Sequence, residues 1–284
     1  MKNRFNLKYF TVIMIAALML IGCSNNQDES NVSSTEQQEE KTNTAQTDKR
    51  VIGIIGAMKE EVEILHEKMK IESTETVAGM EFYKGTLDGE NIVLVQSGVG
   101  KVNAAACTQV LVDHFGVDYL INSGVAGGLG PDVTVGDIVI STDAVQHDVD
   151  ITALGEDPGV ISRMDTSIFT ADEKLIQLAQ SSAEGLSEDI NVFQGRIASG
   201  DQFIASAEQK AEINEIFSPY AVEMEGAAIA HVAHLNDVPF VIIRAISDDA
   251  GGEADVKYED FVKMAAENAS KMIEQMIKSA NESL

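Results

Sequence analysis

Residues 51–62 read Val51-Ile52-Gly53-Ile54-Ile55-Gly56-Ala57-Met58-Lys59-Glu60-Glu61-Val62. A short unbroken apolar run gives way to small residues and then to charged ones. The first six residues predict a strand buried on both faces. From 59 to 69, Val62, Leu65 and Met69 recur at helical spacing beside a run of charges, which predicts an amphipathic helix. The same alternation recurs downstream. Residues 82–87 and 91–96 flank Asp88-Gly89, a hairpin signal. Helical patterns cover 102–115, 171–184, 224–235 and 258–278, and strand patterns cover 119–122, 137–141, 191–198 and 240–245. Pro239 opens the last strand, where a missing N–H does least harm. Strands alternating with helices predict one α/β layered domain with a largely parallel central sheet.

Upstream of Arg50 the chain changes character. Lys2, Arg4 and Lys8 precede an apolar run from Phe10 to Ile21, which ends in Leu20-Ile21-Gly22-Cys23. The run is long enough for a secretion signal and short for a stable membrane span. A small residue before a cysteine at the cleavage point looks like a bacterial lipobox, in which the cysteine becomes the lipid-modified first residue. The expected organisation is a lipoprotein signal peptide over 1–22, a disordered tether over 23–49 beginning at lipidated Cys23, and a folded domain over 50–284. An ordinary signal peptide or an uncleaved anchor is the alternative. The tether is rich in Ser, Asn, Gln, Thr and Glu, and cannot bury enough surface to offset its chain entropy. The expected location is therefore the extracytoplasmic face of a bacterial cell membrane, with the lipid anchor in the bilayer.

Asp and Glu number 46 against 20 Lys and Arg, a formal charge of −26. Such a surface repels phosphate backbones, so nucleic acid is discounted as a partner. Cys107 is the single cysteine after residue 50 and makes no internal disulfide. It is expected to sit inert in a helix face.

In open α/β sheets, sites form beyond the carboxyl ends of strands. Four places there carry suggestive residues, the fourth a pair of stretches. Gly56-Ala57-Met58-Lys59-Glu60-Glu61 offers small residues and a carboxylate in a first helical turn, although an acidic turn complementing the helix dipole explains it equally. Ser97-Gly98-Val99-Gly100-Lys101 resembles a phosphate cradle but lacks the spacing of a P-loop or dinucleotide fingerprint. Asn122-Ser123-Gly124-Val125-Ala126-Gly127-Gly128-Leu129 reads as a glycine-rich loop whose residues reach positive φ and whose backbone meets a flat ligand. Finally, Val222-Glu223-Met224-Glu225-Gly226-Ala227 and Arg244-Ala245-Ile246-Ser247-Asp248-Asp249 place several charges at helix and strand ends. Capping explains each singly. Together they are material for acid–base work on a sugar–base bond.

Residues 52–62, together with Ser97-Gly98-Val99-Gly100-Lys101-Val102, Ile121-Asn122-Ser123-Gly124 and Ala126-Gly127-Gly128-Leu129, are similar to segments of the bacterial 5′-methylthioadenosine/S-adenosylhomocysteine nucleosidases. So are Ser199-Gly200-Asp201, Ala221-Val222-Glu223-Met224-Glu225, Val238-Pro239-Phe240-Val241 and Arg244-Ala245-Ile246-Ser247-Asp248. The match runs in order from about Val51 to Ile277. It implies the nucleoside phosphorylase-like fold, a three-layer αβα sandwich with a mixed, largely parallel central sheet, and a homodimer. It implies hydrolysis of the N-glycosidic bond of adenine nucleosides, with no metal and no organic cofactor.

Carried over by position, the resemblance makes Asp248 the acid at adenine N7 and Glu61 the residue that activates water. Glu225 would bind the ribose hydroxyls, with Met224 packed on the sugar. Phe203 would stack on adenine and the backbone of Ile204 would read its edge. Met58, Val99 and Tyr258 would line the pocket for the sulfur substituent. Gly127 and Ser247 complete the binding set, and Arg244 would position the water or stabilise nearby carboxylates. His147 matches a family histidine, either on a segment crossing to the partner subunit or in a structural role. Three departures stand out. Val125 replaces a hydroxyl residue, Tyr258 replaces phenylalanine, and 155–168 is shortened. A phosphorolytic nucleoside phosphorylase, a nucleosidase for another adenine-containing substrate such as futalosine, and a non-catalytic nucleoside-binding lipoprotein are the competing readings. The carboxylate of Glu61 would repel phosphate, which favours hydrolysis, and a pure binder has no need of it.

Overall fold

The computed structural model describes residues 50–251 and 254–284, apart from the side chains of 255–257 and 281–283. The segments expected to be a signal peptide and a tether, with Cys23, lie outside the described residues.

The chain runs β1 (Val51–Gly56), α1 (Lys59–Lys68), β2 (Lys70–Val77), β3 (Met80–Leu87), β4 (Glu90–Gln96), α2 (Lys101–Asp113), β5 (Tyr119–Gly128) and β6 (Ile138–Gln146). It continues through β7 (Ile168–Thr170), α3 (Glu173–Ser182), β8 (Val192–Ser199), α4 (Ala207–Phe217), β9 (Ala221–Glu223), α5 (Gly226–Leu235), β10 (Phe240–Asp248) and α6 (Ala254–Ser283). All strands join one sheet. Its centre is parallel: β4 beside β1, β1 beside β5, β5 beside β10. The β2–β3–β4 edge is antiparallel, as the Asp88-Gly89 hairpin requires. Beyond β10 the sheet curls. β6 pairs antiparallel with β10, β8 follows β6, β9 follows β8, and β9 returns antiparallel to β5. The ring β5–β10–β6–β8–β9 is thereby closed, which removes an exposed edge.

Helices α1, α3 and α6 pack together on the sheet, and α2 pairs with α5. In α6, Ala265, Ala269, Met272, Ile273, Met276, Ile277 and Ala280 are all buried. Their three- and four-residue spacing forms the stripe that seats this long helix. Strands β1, β5 and β10 are buried on both faces, so Ile52, Ile54, Ile121, Ile242 and Ile243 have no exposed surface. Cys107 is buried in α2, and burial pushes its thiol up to about 12. It is not a nucleophile at physiological pH.

One expectation is overturned. Residues 122–129 are not a loop: β5 continues to Gly128, pairing Asn122 to Gly127 with β10 and Gly127-Gly128 with β9. None of Gly124, Gly127 or Gly128 has positive φ. Glycine is needed here for clearance. A Cβ on Gly124 would lie 1.7 Å from Arg244 Nη1, and one on Gly127 would lie 2.9 Å from Asp248 Oδ1. The strand is glycine-rich because two charged side chains of β10 cross its face.

Candidate active site

A cavity of about 230 Å³ opens at the carboxyl ends of β1, β4, β8 and β10, against β5. Met58, Glu61, Val99, Gly127, Phe203, Ile204, Met224, Glu225, Ser247, Asp248 and Tyr258 all line it. Elements far apart in sequence therefore bring together eleven residues expected to share a site.

Glu61 enters from the first turn of α1. Its Oε2 accepts the Ala57 and Met58 N–H groups at 2.7 and 2.9 Å, and its Oε1 accepts that of Val125 at 3.0 Å. The carboxylate thus caps its own helix, as the dipole argument required, yet it also faces the cavity. Burial pushes its carboxyl above the ordinary range, against the opposing pull of Arg244 and the three N–H donors.

Asp248 ends β10. Oδ1 accepts the Ala250 N–H at 2.8 Å, and Oδ2 accepts the Ser247 hydroxyl at 2.9 Å. Burial raises this carboxyl despite both donors. Asp249 adds to the rise, and Lys210 opposes it. A carboxyl raised in this way can hold a proton for donation.

Glu225 sits at the start of α5, and its Oε1 accepts the Gly100 N–H at 2.7 Å. Burial first, then the neighbouring Glu223, push its carboxyl up to about 7, while Arg244 pulls it down.

Arg244, expected in the binding set, is wholly buried and is not among the residues that line the cavity. It lies behind the wall. Nη2 donates to Asn122 Oδ1 at 2.6 Å and makes a short ion pair with Glu223 Oε2, with Glu225 Oε2 at 3.8 Å. Of its two expected tasks, the geometry favours stabilising carboxylates. Glu223 is the residue that sequence reasoning missed. Its Oε1 accepts the Ser199 hydroxyl, and its Oε2 also accepts the Glu225 and Gly226 N–H groups at 3.1 and 2.7 Å. The signal was present as the first carboxylate of Val222-Glu223-Met224-Glu225. Val222 and Glu223 of that stretch line the cavity, and Gln202, which no quoted stretch contained, joins them.

The mouth is aromatic. Phe203 is half exposed and meets Tyr258 edge-to-face at 5.6 Å. The Tyr258 hydroxyl donates to Met58 Sδ at 3.0 Å, so the hydroxyl that the resemblance did not call for has a partner. Val125 still supplies its N–H to Glu61, a contact that does not depend on its side chain. His147 lies outside this cavity, in a neighbouring hollow with Gln202 and Phe217. Its ring packs on Gly200, and burial lowers its pKa. Among the described residues, no group of three or more His, Cys, Asp or Glu is arranged to hold a metal ion.

The phosphorylase superfamily matches residues 51–278. A 5′-methylthioadenosine/S-adenosylhomocysteine nucleosidase of Anoxybacillus flavithermus is 49% identical over 231 residues, which is 81% of this chain and 99% of that protein. The Neisseria meningitidis nucleosidase of the same name, solved with methylthio-immucillin-A, is 43% identical with a TM-score of 0.78, covering 81% and 99% of the two chains. The Colwellia psychrerythraea nucleosidase, solved with adenine, is 42% identical with a TM-score of 0.78, covering 81% and 95%. At these identities and coverages the relationship is one of family as well as fold: the chain belongs to the 5′-methylthioadenosine/S-adenosylhomocysteine nucleosidases of the phosphorylase superfamily.

Proposed function

We infer that this protein hydrolyses the N-glycosidic bond of 5′-methylthioadenosine and S-adenosylhomocysteine, releasing adenine and the 5-thio-substituted ribose. The observation that carries the hydrolytic reading is the Glu61 carboxylate on the N–H groups of Ala57 and Met58. Backbone N–H groups at a helix start form a natural anion site. Here the protein's own carboxylate occupies it, so phosphate would meet both a blocked donor set and a like charge.

In this reading Asp248 gives its proton to adenine N7 and makes the base a better leaving group. Glu61 holds and deprotonates the attacking water. Glu225 accepts the ribose hydroxyls, and its charge favours the cationic sugar as the bond breaks. Met224 packs on the ribose, Phe203 stacks on the base and Ile204 presents backbone to its edge. Met58, Val99 and Tyr258 surround the sulfur substituent. Gly127 leaves room for Asp248, and Ser247 orients it. Arg244 acts one layer back, through Glu223 and Glu225. The test is adenine release from methylthioadenosine in phosphate-free buffer, where full activity is expected. Release that requires phosphate would make the enzyme a phosphorylase. Tight binding without turnover would leave a nucleoside receptor.

We further propose that the enzyme is lipid-anchored through Cys23 on the extracytoplasmic face of the cell membrane. The basic start, the apolar run and the Leu20-Ile21-Gly22-Cys23 box support this. Radiolabelled palmitate should enter the full chain in a bacterial host and fail to enter the Cys23→Ala variant; equal labelling of both would exclude the anchor. A homodimer is proposed as well, supported by the strongly exposed Val102 and Leu154 side chains. A solution mass of one chain would exclude it.

A further inference from the structure

Lys101 closes the glycine turn likened to a phosphate cradle, but its ammonium is committed to other groups. Nζ donates to Asp148 Oδ1 at 2.5 Å and to Gln146 Oε1 at 3.2 Å. The other oxygen of Asp148 accepts the Asp201 N–H at 2.9 Å. The Asp201 side chain in turn accepts the Lys101 N–H at 2.8 Å. Three residues thus close a ring between the start of α2, the segment after β6 and the segment after β8. The Lys101 and Asp148 side chains are 17% and 14% exposed, so solvent screens the pair only partly. Burial alone would raise the Asp148 carboxyl, yet Lys101 and the Asp201 N–H hold it below its ordinary value.

Both ends of the ring adjoin the active site. Gly100, next to Lys101, is the donor that holds Glu225 Oε1 at 2.7 Å. Phe203 and Ile204, in the cavity wall, follow Asp201 by two and three residues. Residues 201–206 form neither helix nor strand, so their placement depends on anchors of this kind.

We propose that Lys101, Asp148 and Asp201 form a positioning clasp that fixes the Phe203-Ile204 segment and the Gly100 N–H relative to one another, so that the base site and the ribose carboxylate are ordered together. The proposal rests on the functional reading above, in which Phe203 and Ile204 meet adenine and Glu225 meets ribose. Lys101 touches no cavity wall and acts through these residues alone.

Lys101→Met, Asp148→Asn and Lys101→Arg are compared with the parent by adenine release from methylthioadenosine and by inhibition with free adenine. Lys101→Met and Asp148→Asn are each expected to lose about 10–100-fold in kcat/KM, the scale of a small misplacement of reacting groups, with adenine inhibition weakened about tenfold. Lys101→Arg keeps the charge at Asp148 and should return to within about threefold of the parent. The double variant Lys101→Met/Asp148→Asn should lose about as much as either single change, because both open the same ring. Parent-like kcat/KM and adenine inhibition in folded Lys101→Met would overturn the clasp. So would a fall in activity with adenine inhibition unchanged, or a lack of recovery in Lys101→Arg. If Lys101→Met does not fold, the near-isosteric Asp148→Asn decides by the same two readouts. A parent inactive on methylthioadenosine would instead sink the functional reading, and equilibrium adenine binding by the same variants would still decide the clasp.

Discussion

Asp248→Asn lowers adenine release by about 10²–10⁴-fold, the range typical for loss of a positioned general acid. The substitution is close to isosteric. An asparagine amide can keep an oxygen toward the Ala250 N–H, so binding should suffer less than turnover. The expected signature is a collapse of kcat with KM changed by no more than about threefold. The pH profile separates an acid from a mere contact. Burial raises the Asp248 carboxyl, so its protonated, competent form persists above the ordinary carboxylate range and is lost as pH rises through the raised value. Parent activity should therefore fall on the alkaline side of that value, and the residual activity of Asp248→Asn should lack this limb. A variant with parent-like kcat, or one that keeps the same limb, would remove Asp248 from the acid's role. Lys210 favours the ionised form through its charge, so its position on α4 tunes this limb without touching the cavity.

Much of the architecture was legible because central strands are buried on both faces and so read as continuous apolar runs. Val51–Gly56 is the plainest case, and the Asp88-Gly89 hairpin follows from its turn residues. β2 was not legible. Lys70–Val77 is a polar and mostly exposed edge strand, held by its register with β3 rather than by any apolar face. β9 has three residues, too few for a pattern, yet it closes the ring. The extension of β5 was misread because glycine usually signals a turn, and no sequence rule separates a glycine needed for φ from one needed for clearance. The site was legible through ordered motifs at strand ends, which is why the cavity gathers eleven of the expected residues. Both Glu223 and Glu225 line the cavity, and motif reading does not show which of the two pairs closely with the arginine behind it. That distinction, between Glu225 and Glu223, is set by Ser199 and Arg244 from other strands.

Arg244→Met should be the most destabilising single change at the site. It removes the cation beside Glu223 and Glu225, and the charge that opposes the rise of the Glu61 carboxyl. Breaking a buried ion pair from one side costs about 3–5 kcal/mol, because the partner charge is left without compensation. For a domain of this size that corresponds to a fall in Tm of about 6–20 °C. The carboxylates respond by taking up protons. Glu225, already near 7 with Arg244 in place, moves higher without it. The sign follows from linkage: a carboxyl raised in the folded state contributes stability that is fully present below its unfolded pKa and is lost as pH rises through the folded value. The variant should thus be more stable at pH 5 than at pH 8. The acid limb of its remaining activity should move to higher pH, since Glu225 must ionise to favour the cationic sugar, while the alkaline limb set by Asp248 stays. Glu223→Gln in the same chain should restore part of the lost Tm by removing one uncompensated charge. Gly124→Ala reaches the same guanidinium without altering any charge. Its Cβ would lie 1.7 Å from Nη1, so either the guanidinium or β5 must move, a cost of about 1–3 kcal/mol. If Arg244→Met melts within about 2 °C of the parent at pH 8, the buried cluster is not held by this cation. If it does melt early while Gly124→Ala stays parent-like in both Tm and kcat, β5 yields without displacing the arginine, and clearance would no longer explain why the strand is rich in glycine.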